Sequence, residues 1–175
     1  MLQGFAASDG LAKLGERLQY YAEARRRNGD SDAEIEAAVH NTGVLRRVYV
    51  ADDMEKAYEE PKDAILWFYS LLDHLNLPRD LQDRIPEEYL YQKQLAQERA
   101  KQSYQDFWDH GVFGDVETCI QKVETVRSAG INYMLNWTSL GGLAQDKVLH
   151  SMELFAKQVM PRFRESIAEP VVSRT

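Results

Sequence analysis

Apolar residues recur at helical spacing near the start of the chain, three or four positions apart, at Leu11, Leu14, Leu18 and Tyr21. Ser8 or Asp9 can cap the start of this segment, and Asn28-Gly29 marks its end. The pattern predicts a helix with one buried stripe. A second, shorter helix is predicted from Ser31, because Ser31 and Glu34 have the spacing of a capping box.

Two later segments are rich in β-branched and aromatic residues, as strands are. Val44–Val50 lies between Gly43 and a pair of aspartates, and Ile131–Trp137 follows Ala129-Gly130. We therefore predict a strand at each position. No other segment carries an equally clear strand pattern.

Helices are predicted between and after these strands. One begins at Asp52-Asp53, where carboxylates suit a helix start, and breaks at Pro61. The next spans residues 63–75 and is expected to bury Ile65, Leu66, Phe68, Tyr69 and Leu72. A third runs from Tyr89 to His110, a fourth from Gly114 to Ala129, and a last one ends at Met160-Pro161.

The order of these elements predicts an α/β fold. Two strands separated by a long helical stretch cannot form a hairpin, so they are expected to run parallel. Parallel sheets are normally covered on both faces and contain several strands, and two strands alone make a poor sheet. Either a partner chain completes the sheet, or the chain is the C-terminal portion of a longer protein.

Composition narrows the possible functions. The 175 residues are 44 % hydrophobic and carry a net charge of -7, so a buried core is expected and a nucleic-acid partner is not. No apolar run is long enough for a membrane span and no leader is visible, which favours a cytoplasmic protein. The lone Cys119 is expected to be a plain buried or half-buried thiol and not a nucleophile, because no histidine lies nearby in sequence to activate it. The four histidines lack ligand spacing, so no metal site is predicted.

Four ordered segments resemble the C-terminal portion of bacterial luciferase-like flavin-dependent monooxygenases: Leu45–Asp52, Gly111–Glu117, Ser128–Asn136 and Gly141–Pro161. The resemblance implies the C-terminal part of a (β/α)8 TIM-type barrel, mostly helical with two or three parallel strands. Residues 1–175 would form a single partial domain with a helical insertion at about 61–110. Val44–Val50 would be the seventh strand, Ile131–Trp137 the eighth, and Met1–Phe5 the end of the sixth.

The resemblance also implies a function. Members of the family bind reduced flavin, usually FMN and in some branches a deazaflavin, and use oxygen to oxidise a small apolar substrate. The first five barrel strands, which carry most flavin contacts, have no counterpart here. The chain is therefore expected to need the missing N-terminal half or to form a dimer, and catalysis by the chain alone is in doubt. The alternatives are a non-enzymatic helical interaction or dimerisation module, and a different barrel oxidoreductase.

Five residues are candidates for cofactor binding, because barrel sites lie at the C-terminal ends of the strands: Gln3, Gly4, Asn136, Trp137 and Thr138. Trp137 would lie against the flavin ring or an apolar substrate and line the site, or else it packs against the final helix. No catalytic residue is assigned.

Other sequence features allow a structural as well as a functional interpretation. Gly141-Gly142 either lets the backbone approach a phosphate or forms a simple turn. Asp52 and Asp53 are better explained as helix caps than as an acid and a base. Arg46 or Arg47 must point into the barrel or towards a carboxylate. The aromatic residues of the helices are expected in the core or at an interface.

Overall fold

The computed structural model describes residues 10–76, 101 and 103–164. Its elements follow one another along the chain as a 3-10 turn Leu11–Lys13, α1 Leu14–Arg27, α2 Asp32–His40, β1 Gly43–Val50, α3 Met54–Glu59, α4 Lys62–Asn76, α5 Tyr104–His110, β2 Val112–Gly114, α6 Val116–Ser128, β3 Tyr133–Trp137, α7 Gln145–Leu154, a π-helical turn Phe155–Val159, and α8 Pro161–Arg164.

The three strands form one parallel sheet in the order β2-β1-β3. The start of β1 pairs with β3, from Gly43 opposite Tyr133 to Arg47 opposite Trp137. The end of β1 pairs with β2, from Val48 opposite Val112 to Val50 opposite Gly114. The predicted fold class is confirmed, since the described residues form a mostly helical α/β fold with parallel strands, consistent with part of a TIM-type barrel.

Helices cover β1 on both faces. Val44 packs with α1, while Val48 and Val50 pack with α6, α7 and the π-helical turn. On the opposite face, Tyr49 packs with the aromatic residues of α4 and α5. We call the face of Val44, Val48 and Val50 the outer face of the sheet, and the face of Tyr49 the inner face. β1 is therefore buried along its whole length except for the half-buried Leu45, as is typical of strands in parallel sheets.

Several local predictions are confirmed. α1 ends before Asn28, and Leu11, Leu14 and Leu18 of the predicted apolar stripe are buried, whereas Tyr21 is half-buried. At the start of α2, Ser31 Oγ accepts a hydrogen bond from the Glu34 backbone N–H, and Glu34 accepts one from the Ser31 N–H at 2.8 Å. Asp53 caps α3 by accepting a hydrogen bond from the Lys56 N–H at 2.8 Å. The helical stretch breaks at Pro61 as expected.

The predicted continuous helix from Tyr89 to His110 is wrong. Ser103 is extended, with φ -82° and ψ 166°, and forms a capping box with Asp106, so α5 begins at Tyr104. The box lets Ser103 and Asp106 satisfy the free N–H groups of a new helix start. Residues 77–100 lie outside the described part of the chain.

Other differences concern boundaries and faces. Of the residues of α4 that were predicted to be buried, Ile65 is buried, Leu66 is 40 % exposed, and the others are half-buried: Phe68, Tyr69 and Leu72. The final strand begins at Tyr133 instead of Ile131, and the last helix extends past Pro161 as a short turn. β2 was not predicted, because its three residues are too few to show a period.

Candidate functional site

The three strands end at one edge of the sheet, where barrel enzymes place their sites. β1 leads into Asp52-Asp53, β2 into Asp115, and β3 into Thr138. Asp53 and Asp115 each cap the helix that follows, by accepting a hydrogen bond from the backbone N–H three residues later. Capping accounts for these two carboxylates, whereas Asp52 remains available for side-chain contacts.

Trp137 lies at the end of β3 on the inner face. Its ring meets Phe68 of α4 edge to face, with centroids 5.0 Å apart, and its Nε1 donates a hydrogen bond to the Ser139 carbonyl at 2.8 Å. The indole is half-buried. Trp137 therefore packs against α4, not against the final helix as one reading of the sequence proposed.

The other predicted site residues are not all gathered around Trp137. Thr138 follows it directly and is half-buried, while Asn136 is exposed. Because neighbouring residues of a strand alternate between faces, Asn136 lies on the outer face with Met134. Gln3 and Gly4 fall outside the described residues. The structure thus places Trp137 and Thr138 together and leaves their cofactor role a prediction.

Arg47 is buried beneath two aromatic rings on the inner face. Its guanidinium carbon lies 4.8 Å from the Tyr69 ring centroid and 5.2 Å from that of Phe107, and these two rings stack at 4.1 Å. Burial lowers the pKa of Arg47. Arg46 is also fully buried, so both strand arginines are enclosed by the fold. The aromatic residues here belong to the core, as predicted.

A polar network, which the sequence analysis did not assemble, links β1, α3 and α7 at the strand ends. The Tyr49 hydroxyl donates a hydrogen bond to Glu60, whose other oxygen lies 3.1 Å from Lys147 Nζ. Burial, together with the hydrogen bond to Glu60, raises the pKa of the Tyr49 phenol. The phenol therefore remains a hydrogen-bond donor through the neutral pH range.

A second part of this network joins the loop after β1 to α7. His150 Nε2 lies 2.9 Å from Asp52 Oδ1, and Lys56 Nζ lies 3.1 Å from Asp52 Oδ2. These hydrogen bonds, that of His150 first, lower the pKa of Asp52. Lys56 and Asp52 have i, i+4 spacing, whereas His150 is 98 residues from Asp52, so no spacing rule could have joined the histidine to this carboxylate.

Gly141 is explained by close packing. A Cβ at this position would lie 3.0 Å from the Trp67 ring and 3.2 Å from Phe68 Cβ, both on α4. The glycine lets the loop after β3 approach α4, and Gly142 adopts a positive φ of 82°. The pair therefore has a structural role that needs no phosphate.

Two surface grooves of about 530 and 540 Å³ share Phe163 in their lining. The second lies beside Ile131 and Asn132, at the start of β3 and hence at the opposite end of the strand from Trp137. Within the described ranges, no three potential metal ligands come together, and no helix is long and apolar enough to cross a membrane.

The fold places the chain in a structural class, that of α/β units with parallel strands of the kind found in TIM-type barrels. A solved structure with a similar fold is the coenzyme F420-dependent tetrahydromethanopterin reductase from Methanopyrus kandleri, at TM-score 0.51 and 15 % sequence identity. The match covers 88 % of this chain and 43 % of the reductase chain, so the chain spans less than half of that protein. At this identity the similarity concerns the fold alone. No protein-family model matches the sequence, and no curated protein does.

Proposed function

We propose that the chain is the C-terminal portion of a luciferase-like, flavin-dependent monooxygenase that oxidises a small apolar substrate with oxygen and reduced flavin. The proposal is supported by the sequence resemblance and by the fold shared with the F420-dependent reductase. Because coenzyme F420 is a deazaflavin, a flavin-type cofactor suits this fold, with FMN as the first choice and a deazaflavin as the second.

One observation carries the proposal: the half-buried Trp137 lies on the inner face at the C-terminal end of β3. An aromatic ring in this place fits the flat face of a flavin ring or of an apolar substrate. Its Nε1 is already bonded to Ser139, so the indole offers a ring face and no additional donor.

The fit is partial, because no described residue forms a phosphate cradle. Gly141-Gly142, the one candidate, is explained by packing against α4. The resemblance attributes the phosphate contacts to earlier barrel strands, which lie outside the portion of the barrel proposed for residues 1–175. When bound, the reduced flavin supplies the reducing equivalents, and this chain's residues position the ring and exclude water.

Water exclusion is the task of the aromatic layer on the inner face. Tyr104, Phe107 and Trp108 of α5 are buried with Phe113 and Tyr49 beneath α4. This layer lies against the end of β1, next to Trp137. It makes the inner face beside Trp137 an apolar environment, which suits an apolar substrate and a reaction that must be protected from water.

The test uses lumiflavin, which has the flavin ring without the ribityl phosphate. We expect lumiflavin to quench the tryptophan fluorescence of the purified chain, and FMN to bind no more tightly than lumiflavin because the phosphate contacts are missing. Trp137→Ala should weaken binding by about two- to tenfold, because it removes one aromatic stacking partner. A parallel fluorescence titration uses the deazaflavin F420.

Two further variants control this experiment. Trp137→Phe retains an aromatic ring against Phe68 and should retain most of the binding. Trp67→Ala removes an indole that is 56 % exposed on α4 and should leave binding unchanged. Absence of quenching at lumiflavin saturation, or equal affinity of Trp137→Ala and the parent chain, would contradict the proposal.

The alternative of a helical interaction module assumed that the two apolar segments were not strands, and this assumption is wrong. One observation still favours an interaction surface. Leu66, Trp67 and Leu71 of α4 are 40 %, 56 % and 37 % exposed. Light scattering gives the molar mass of the purified chain and so distinguishes a dimer from a monomer. If a dimer forms through α4, the Trp67→Ser variant should be monomeric.

A further inference from the structure

Met54 is the first residue of α3, at the edge of the sheet where the strands end. It is 42 % exposed, and its side chain reaches the start of α6. There Met54 Sδ accepts two hydrogen bonds, from the Asp115 backbone N–H at 3.5 Å and from the Thr118 hydroxyl at 3.4 Å. The thioether therefore joins the start of α3 to the start of α6.

Both donors belong to the residues that cap α6. Asp115 accepts a hydrogen bond from the Thr118 backbone N–H at 2.9 Å. This cap does not use the Asp115 N–H or the Thr118 hydroxyl, and both are directed at Met54 Sδ. A thioether is only a weak acceptor. Two donors that converge on such an atom suit a stronger acceptor in the same place, namely an oxygen bound to the sulfur.

Oxidation of the thioether supplies that oxygen. In the reaction with hydrogen peroxide the sulfur attacks one peroxide oxygen, so that an S–O bond forms while the O–O bond breaks. The sulfur loses two electrons, and the departing hydroxide takes up the proton of the transferred oxygen and leaves as water. A rotation of the Met54 side chain then places the sulfoxide oxygen within the ordinary hydrogen-bond distance of ~2.7–3.2 Å from the two donors.

We propose that Met54 is a site of reversible oxidation, at which hydrogen peroxide converts the thioether to a sulfoxide that binds the start of α3 more tightly to the start of α6. In the reverse step a methionine sulfoxide reductase oxidises two thiols to a disulfide and releases the oxygen as water. The inference goes beyond the proposed function and does not rest on it, because no flavin takes part in these steps.

The position of α3 depends on contacts with its neighbours, because this helix has only six residues and buries only Ala57. Asp52 and Glu60, which lie on either side of α3, contact α7. Met54 provides the contact with α6. A stronger acceptor at Met54 therefore fixes the loop after β1 more firmly, at the edge where the strands end.

Met152 on α7 gives an internal comparison. It is 45 % exposed, close to the value for Met54, but no hydrogen bond from the described residues reaches its sulfur. Met134 and Met160 are half-buried. Peroxide should therefore oxidise both exposed methionines first, and only the oxygen on Met54 should affect the start of α6.

The test treats the folded chain with hydrogen peroxide in the Met152→Leu background. Peptide mass spectrometry should find an added oxygen on Met54 before Met134 and Met160 are modified. Exchange of the Asp115 amide hydrogen, followed by NMR, should slow by about two- to tenfold on oxidation, the effect of one stronger hydrogen bond. The proposal is overturned if Met54 stays unoxidised where Met152 of the parent chain is converted, or if exchange at Asp115 does not slow.

Three variants identify the groups involved. Met54→Leu has no sulfur, so peroxide should leave exchange at Asp115 unchanged, and slowing in this variant overturns the proposal. Thr118→Val removes one donor at nearly constant shape and should reduce the slowing. Thr125→Val is the matched control on the same helix, because the Thr125 hydroxyl bonds to the Gln121 carbonyl, and it should slow as the parent does. Equal slowing in all three threonine backgrounds overturns the role of Thr118.

Two further measurements complete the test. Melting curves show whether each variant is folded, and Met54→Leu carries the test alone if Thr118→Val loses its melting transition. Treatment of the oxidised chain with methionine sulfoxide reductases and a dithiol should restore the original exchange rate at Asp115. A sulfoxide on Met54 that persists after this treatment overturns the reversibility of the modification.

Discussion

At the scale of single residues, Cys119 shows how burial decides chemistry. Its side chain is fully buried on α6, and its Sγ lies 3.6 to 3.9 Å from the carbonyl oxygens of Tyr49, Val112 and Gly114. Burial raises the pKa of the thiol to about 12. The thiol is therefore protonated at neutral pH, which agrees with the interpretation of Cys119 as a plain buried residue.

We predict that native Cys119 resists thiol reagents. Because burial raises the pKa of the thiol, far less reactive thiolate is present in the folded chain than in the unfolded chain at the same pH. Reaction with a chromogenic disulfide should therefore be slow in buffer and fast in denaturant. Rapid labelling of the native protein would contradict the burial of this side chain.

The same shift predicts a pH dependence of stability. Because the folded pKa is raised, the contribution of the neutral thiol is complete below the unfolded pKa of about 8.5 and is lost as the pH rises towards 12. The Cys119→Val variant should lose this part of the alkaline decline in a series of urea titrations. An identical decline in the variant and the parent chain would assign it to other groups.

The two strand arginines show the limit of sequence reasoning at this scale. Charges within an apolar strand indicate that one of them is enclosed, but they do not indicate by what. The rings over Arg47 come from Tyr69 and Phe107, which are 22 and 60 residues further along the chain. Such contacts are created only when α4 and α5 fold over the sheet.

At the scale of elements, local chemistry predicted several helix starts. The capping box of α2 and the Asp53 cap of α3 involve residues three positions apart, so the sequence contains all that they need. The capping-box rule also locates the start of α5, which the prediction of one long helix up to His110 missed. Ser103 and Asp106 have capping-box spacing, but the apolar periodicity across them favoured one continuous helix.

Gly141 gives a prediction about how elements approach one another. Gly141→Ala should destabilise the protein by about 1 to 3 kcal/mol, because the new Cβ presses on the Trp67 ring and Phe68. Gly15→Ala on α1 is the control. It meets nothing within 4 Å and should stabilise the chain by about 0.5 kcal/mol through helix propensity. Urea unfolding measures the free energy of unfolding of both variants. If this free energy changes in the same direction in both, the close contact at Gly141 is contradicted.

At the scale of the whole molecule, the sheet joins distant parts of the chain. β1 spans residues 43–50, and both of its partners lie after residue 111. α7 adds a further link, because the buried Ser151 hydroxyl accepts a hydrogen bond from the Val50 N–H at 2.8 Å. The helices of the first half therefore depend on the second half for their sheet.

We predict that a chain ending at Gly111 loses cooperative unfolding. Removing β2 and β3 leaves β1 without either neighbour and exposes Val48 and Val50, which are fully buried in the complete chain. Thermal melting followed by circular dichroism should show a broad, non-cooperative change in place of one transition. A sharp transition near that of the full chain would mean that the sheet is not the organising core.

The sequence by itself determined the strands β1 and β3, the caps of α2 and α3, and the parallel α/β class, because these depend on period, propensity and contacts between near neighbours. Tertiary structure alone decided the short strand β2, the ring contacts of Arg47, the packing of Trp137 on α4 and the network of Asp52 with His150. Each of these needs groups that are distant in the chain and meet only after the helices pack on the sheet.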